Sequence, residues 1–331
     1  MSDRRQFISA GSALSLALLC GAGPAHAQPA KYPNRPIRWV LPSPAGSPLD
    51  AVARKLAETM APGLGVPVIV ENKPGGAATI GAAEVARSAP DGYTFMFSVA
   101  DPLIGALAAV KAMPYDPRRD FSFISKVATS GPVLVVNPSV KANTLAELLA
   151  ELKATKAKLS YGSWGPGSMP SQVIESMAQQ AGVVLNEVPY KGAPPALQDL
   201  LGNHVAMTMI APHLAAPLAA ERKLKILAVV SPRRSALLPN VPTFAESGFN
   251  SFVFTNEIWV GLTGPAKIDD AVRDRMVQAV QAALRDVAFS KFMGDIGFAI
   301  VGNSPAEFEK EYRAEVDIVP RLMRERGVVP E

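Results

Sequence analysis

From Leu159 to Gly182 the sequence reads LSYGSWGPGSMPSQVIESMAQQAG, and this stretch constrains the fold most, because it passes from strand to glycine loop to helix without a spacer. Lys158 to Tyr161 close a strand. Gly162, Gly165 and Gly167 then open a loop whose backbone has access to positive φ and to close approach by a ligand. Ser168 or Ser171 suits the cap of the following helix and Pro170 its first turn. Val173, Ile174, Met177, Ala178 and Ala181 share one face up to the stop at Gly182. The start of such a helix offers N–H groups without intrahelical partners and the positive end of the macrodipole, so it suits an anion. Tight turns also collect glycine and serine for conformational reasons alone, so other sequence has to decide between binding and turn-making.

The same order recurs upstream. Arg35 to Pro42 reads as a strand and Ser43-Pro44-Ala45-Gly46-Ser47-Pro48-Leu49-Asp50 as a loop. A helix follows with Val52, Leu56, Met60 and Leu64 on its buried face. Val66 to Glu71 is an apolar strand that enters a third loop, Asn72 to Gly81. Gly76 and Gly81 have the spacing of a phosphate-binding loop, but Ala82 and Ala83 stand where Lys and Ser or Thr are required, which excludes nucleotide binding. Tyr93 to Val99 is a strand ending at Ala100-Asp101-Pro102. Strand and helix in alternation predict an α/β sheet whose ligands lie beyond the carboxyl ends of the strands, here Ser43 to Ser47 and Ser98 to Asp101.

Two apolar runs in Phe121 to Val136, split by Ser130-Gly131-Pro132, predict a crossing into a second domain. Thr144 opens a helix with Glu147 at the capping-box position. Val183 to Val188, Val205 to Ile210 and Lys225 to Val230 are further strands, the last leading back. Ile258 to Leu262 is a strand, and Ile268 to Leu284 and Pro305 to Arg326 are helices. The expected organisation is two lobes with a cleft between them: residues 28–130 and 232–331 form lobe I, and 131–231 form lobe II.

Residues 1–27 fall outside this pattern. Arg4-Arg5-Gln6-Phe7-Ile8, an apolar run from Ala10 to Ala22 and Ala25-His26-Ala27 form a secretory signal, with cleavage expected before Gln28. The paired arginines and Phe7 look like the twin-arginine export motif, with a general secretory signal as the alternative. Cys20, the single cysteine, lies within it. Disulfides and thiolate chemistry are therefore excluded from the mature chain. The formal charge of the whole sequence is only +4, without a run of Lys and Arg, so nucleic acid is not an expected partner. No later segment has the apolar length of a membrane span. Hydrolysis by serine would need a G-x-S-x-G elbow and a histidine base. There is no such elbow, and outside the signal only His204 and His213 remain. No motif holds a metal or cofactor.

The chain resembles, over nearly its whole mature length, the tripartite tricarboxylate transporter solute receptors, the Bug family of periplasmic binding proteins. The resemblance rests on Tyr32-Pro33 to Pro36-Ile37, Val70 to Gly76, Ala89-Pro90-Asp91-Gly92-Tyr93-Thr94, and Tyr115-Asp116-Pro117 with Asp120-Phe121. It continues in Val188-Pro189-Tyr190-Lys191-Gly192, Arg234-Ser235 to Leu238-Pro239, Val241-Pro242-Thr243, and Trp259-Val260-Gly261-Leu262. It implies a monomeric, type II-like receptor in the periplasm, with a mixed, mainly parallel sheet flanked by helices in each lobe. Such a receptor closes on a small carboxylate and delivers it to the membrane permease subunits; it is not an enzyme.

A sensor that passes its closed state to a signalling partner is the second reading, and an esterase-like hydrolase the third. The resemblance puts the ligand between Ser43, Ala45, Gly46, Ser47 and Asp50 on one side and Ser163, Trp164, Gly165, Gly167, Ser168 and Met169 on the other. Ala100, Asp101, Tyr190, Lys191, Ile210, Ala211 and Glu257 complete the expected set. Trp164 and Ile210 stand where polar residues are usual, which suggests an aromatic or partly apolar carboxylate, with lobe packing as the other role for Trp164. Glu257 is expected to pair with a surface lysine, or else with an amine or hydroxyl of the ligand.

Overall fold

The computed structural model describes residues 32–154, 159–165, 168–190 and 192–325. The signal sequence, its cleavage point and the paired arginines lie outside the described residues. Two sheets form the frame. The first contains β1 (Ile37–Leu41), β2 (Val68–Asn72), β3 (Thr94–Ser98), β4 (Phe121–Ser130), β10 (Ile258–Pro265) and β11 (Ala299–Ile300), in the order β11-β4-β10-β3-β1-β2. The second contains β5 (Val133–Val136), β6 (Ser160–Ser163), β7 (Asn186–Pro189), β8 (Met207–Ile210) and β9 (Lys225–Val229), in the order β7-β6-β8-β5-β9.

Parallel pairing is confined to one half of each sheet, β2-β1-β3 and β7-β6-β8, where strands return through helical crossovers. Strands β4, β5, β9 and β10 pair antiparallel, so the sheets are mixed rather than mainly parallel. The reason is the connection: these four strands flank the passages from one sheet to the other. Only Gly131 and Pro132 separate β4 from β5.

The helices follow the apolar spacing. Helix α1 (Pro48–Leu64) buries Val52, Leu56, Met60 and Leu64, and Gly65 ends it in the left-handed conformation. Helices α2 (Thr79–Ala86) and α3 (Ala106–Ala109) flank β3, and the four-residue α3 continues a π-helical turn, Asp101–Gly105. In the second body stand α4 (Leu145–Ala154), α5 (Met169–Ala181), α6 (Ala193–Leu201), α7 (Pro212–Ala220) and α8 (Phe252–Thr255). Helices α9 (Asp270–Leu284), α10 (Val287–Asp295) and α11 (Pro305–Glu325) cover the first sheet. The sequence reading did not anticipate α7, whose two prolines interrupt the pattern, nor α10.

Each sheet has apolar cores on both faces. Trp39, Phe97, Leu56 and Met276 meet on one face of the first sheet, and Met96, Trp259, Phe308 and Tyr312 on the other. In the second, Val173, Met177, Met209 and Leu227 lie on one face and Val133, Val135, Ile210 and Val229 on the other. The return was expected at 231/232. Phe244, Phe249, Val253 and Phe254 nevertheless pack into the core of the second sheet, so we draw the return between Thr255 and Ile258. Three aromatic rings in mutual contact hold this segment there, and their burial outweighs its closeness in sequence to β10.

Candidate functional site

A cavity of about 230 Å³ lies between the two bodies. Both parallel half-sheets point their carboxyl ends toward it, as α/β topology requires. From the first come Val99, Ala100, Asp101, Ile104 and Gly105, with Glu315 and Val319 of α11. From the second come Trp164, Ser168, Met169 and Gln172. The segment between α8 and β10 closes it with Phe252, Val253, Asn256, Glu257, Ile258 and Trp259.

Local chemistry explains each wall. After β6 the backbone turns at Gly165, whose φ is 122°, and Ser168 caps α5 with extended backbone. The Ser168 hydroxyl accepts from the Trp164 N–H at 3.2 Å, while the Trp164 indole N–H donates to the Met209 carbonyl at 3.0 Å. That second bond fixes the indole so that its ring forms a wall. Opposite, the Ala100 carbonyl accepts from Leu103 and Ile104, and the Ala106 N–H bonds the Asp101 carbonyl, which makes a π-helical turn. Such turns are rare and concentrate at functional positions. This one holds Leu103 and Ile104 in the core and leaves Asp101 facing the cavity.

Among the described residues, the titratable groups that line the cavity are all acids. Asp101 is open to the cavity but surrounded by the protein, and that desolvation raises its pKa. Among the described residues its carboxylate has neither hydrogen bond nor ion pair. Glu257 accepts the Ser231 hydroxyl at 2.7 Å. Glu315 is buried, accepts the Trp259 indole N–H at 2.9 Å and lies 3.8 Å from the Lys126 ammonium; burial raises its pKa against both.

Of the residues expected from sequence, Ala100, Asp101, Trp164, Ser168, Met169 and Glu257 meet at this cavity. Gly167 and Lys191 lie outside the described residues. Ser43, Ala45, Gly46, Ser47 and Asp50 do not line it. Their polar groups bond one another: Ser43 to Ser47 at 2.6 Å, the Gly46 N–H to Asp50 at 2.9 Å, and Asp50 to Arg54 and Asn72. Ser163 and Gly165 shape the second loop from behind, the Ser163 hydroxyl accepting the Gly165 N–H at 3.2 Å. Tyr190 donates to Asp199 at 2.5 Å and packs beside Gly162, away from the cavity. Ala211 caps α7. Ile210 is fully buried in the core with Val133 and Val229 rather than in the cavity wall, because it points to the far face of β8. Among the described residues Glu257 takes a serine hydroxyl and no lysine.

Sequence reasoning missed Gln172, Phe252, Asn256 and Glu315. Gln172 lies one turn beyond Ser168 on α5 and was within reach of helical spacing. Asn256 and Phe252 lie one and five residues before the expected Glu257, while Glu315 comes from a distant helix that no local pattern links to the site.

Comparison with known proteins agrees with this architecture. Residues 52–328 match the family model described as tripartite tricarboxylate transporter family receptor. Protein BugT of Bordetella pertussis is 32% identical over 302 residues, covering 89% of this chain and 90% of that one. The structure of periplasmic binding protein BugD is 33% identical with a TM-score of 0.78, covering 91% of this chain and 100% of the other. R. palustris Rpa4515 with adipate is 26% identical with a TM-score of 0.81, over 91% of this chain and 100% of that one. The match covers most of the sequence, and the chain belongs to the family of tripartite tricarboxylate transporter receptors, which are binding proteins and not enzymes.

Proposed function

We propose that this protein is a periplasmic receptor that captures a small carboxylate with an apolar body by closing its two bodies on it, and delivers it to the permease of a tripartite tricarboxylate-type system. The observation that carries this is the cavity itself, walled from both sheets in a chain of the receptor family. A similar structure holds adipate, which supports the carboxylate class. The start of α5 is the seat for the carboxylate. Ser168 lines the cavity there, Pro170 removes one N–H, and the other first-turn N–H groups have no intrahelical acceptor. Trp164, Met169, Phe252 and Trp259 supply apolar wall for the rest of the molecule. Without Ile210, the argument for an apolar body rests on these four.

Closure follows from differential contact: a ligand touching both bodies stabilises only the arrangement in which both are near. A thermal-shift screen of the purified chain against aliphatic dicarboxylates, aliphatic monocarboxylates and aromatic monocarboxylates tests the reading. A ligand at 100 times its dissociation constant adds about 2.7 kcal/mol to folding. Stabilisation by carboxylates with apolar bodies is expected; no response to any of the three classes overturns the carboxylate assignment. Delivery is tested separately by uptake of the identified ligand in cells with and without the permease genes.

A further inference from the structure

The charge around the cavity does not match a plain dicarboxylate. Asp101, Glu257 and Glu315 line it, and among the described residues no lysine, arginine or histidine does. Glu315 is accounted for by the protein: it holds the Trp259 indole N–H, and Lys126 stands 3.8 Å away while pairing with Glu311. Glu257 is half accounted for, since the Ser231 hydroxyl occupies Oε1. Asp101 has nothing among the described residues, although the π-helical turn holds it in place and Pro102 beside it fixes the backbone. Asp101 is exposed to the cavity without a partner among the described residues, and a second anion brought beside it would meet like charge. Aromatic rings of Trp164 and Phe252 share the same space, and the face of such a ring attracts a cation.

We propose that the ligand carries a cationic nitrogen in addition to its carboxylate, with the carboxylate at Ser168 and the start of α5 and the nitrogen at Asp101 and Glu257. The inference rests on the carboxylate-receptor reading above and narrows it to zwitterions with an apolar body. One wall of the cavity offers helix N–H groups and a hydroxyl at Ser168, and the walls from the first body and from the segment before β10 offer the carboxylates of Asp101 and Glu257. A dicarboxylate would put its second negative group beside Asp101, whereas an ammonium would satisfy it with a charge-assisted hydrogen bond. Asp101 and Glu257 are thus the residues that set specificity, and Ser168 the one shared by all carboxylates.

Matched pairs of probes isolate the charge. Adipate, hexanoate and 6-aminohexanoate share one chain length and differ at one end; phenylalanine and 3-phenylpropionate differ by one ammonium. Calorimetric titration of the purified chain is expected to rank the aminated member of a pair first, by about 30-fold over its partner, the usual scale for a desolvated charge pair. Asp101→Asn should remove that preference, so that the aminated and plain members of each pair bind alike. Glu257→Gln should reduce it partly. Adipate or hexanoate binding as tightly as 6-aminohexanoate, together with 3-phenylpropionate matching phenylalanine, would overturn the cationic assignment and leave the carboxylate reading intact. An unchanged preference in Asp101→Asn would overturn the role of that residue. Failure of all five probes overturns both readings.

Discussion

Two loops in this chain have nearly the same sequence logic and opposite structural fates. Ser43 to Asp50 and Ser163 to Met169 each leave a strand end, pass through glycine and serine, and enter a helix with proline in its first turn. In the first loop the polar groups are used up: Ser47 caps α1 by accepting the Asp50 N–H at 3.2 Å, Ser43 pairs with Ser47, and buried Asp50 gathers the Gly46 N–H, Arg54 and Asn72. In the second, Ser168 caps α5 without a side-chain bond into the helix and faces the cavity. What decides between them is a carboxylate supplied from within. The first loop carries its own anion at Asp50, and the second has Ser171 at the equivalent turn, which is why the proposed function seats the ligand's carboxylate there.

The largest effect that separates the loops is expected from Ser168→Glu. A carboxylate placed there occupies the anion seat and repels any acid ligand, so titration calorimetry should find affinity reduced at least about 100-fold, while the melting temperature of the free protein stays nearly unchanged. Retained affinity would remove the second loop from the site. Asp50→Ala should do the reverse. Breaking a buried, bonded charge costs about 3 kcal/mol of stability in denaturant titration, with ligand affinity little altered. Hydrogen bonds and Arg54 hold the Asp50 carboxyl below the ordinary range, against the desolvation that is the largest single influence. A depressed folded pKa gives stability that is present above the unfolded pKa and disappears as pH falls through the folded one. The gap between wild type and Asp50→Asn should therefore close in acid.

Asp101 supplies the opposite sign. Desolvation raises its folded pKa, so its ionisation weakens the free protein as pH rises from the unfolded value through the folded one. Because the carboxylate is exposed and screened by solvent, Asp101→Asn is expected to raise the melting temperature at neutral pH by no more than about 1 °C and to make no difference in strong acid. A fall in stability at neutral pH would mean that the carboxylate has a partner in the free protein. A last effect sharpens the second loop alone: Trp164→Phe loses the bond to the Met209 carbonyl and should cost about 1 kcal/mol in the same denaturant assay.

Much of the frame was legible in the sequence because it is local. The face Val52, Leu56, Met60, Leu64 of α1, the glycine stops at Gly65 and Gly182, and the crossing at Ser130-Gly131-Pro132 are all written within a few turns of chain. The site was legible only in part. Trp164, Ser168 and Asp101 follow strand ends and could be found from that rule. Ile210 could not be assigned a side, since a four-residue strand with apolar residues on both faces gives no alternation to read. Glu315 enters through contacts between distant segments. The closure of Asp50 by Asn72 was equally invisible, because it depends on the register of β1 against β2, which pairs Leu41 with Asn72.

The crossing between the bodies has one more consequence. Gly131 has no room for a side chain: a Cβ there would collide with the Val230 carbonyl just after β9 and touch Ser231. Ile258 pairs with Ser130 and Glu257 accepts the Ser231 hydroxyl, so the two passages start side by side. With so few rotatable bonds in these passages, the closure proposed above would order little linker chain, and its cost would fall on the bodies rather than on the connections.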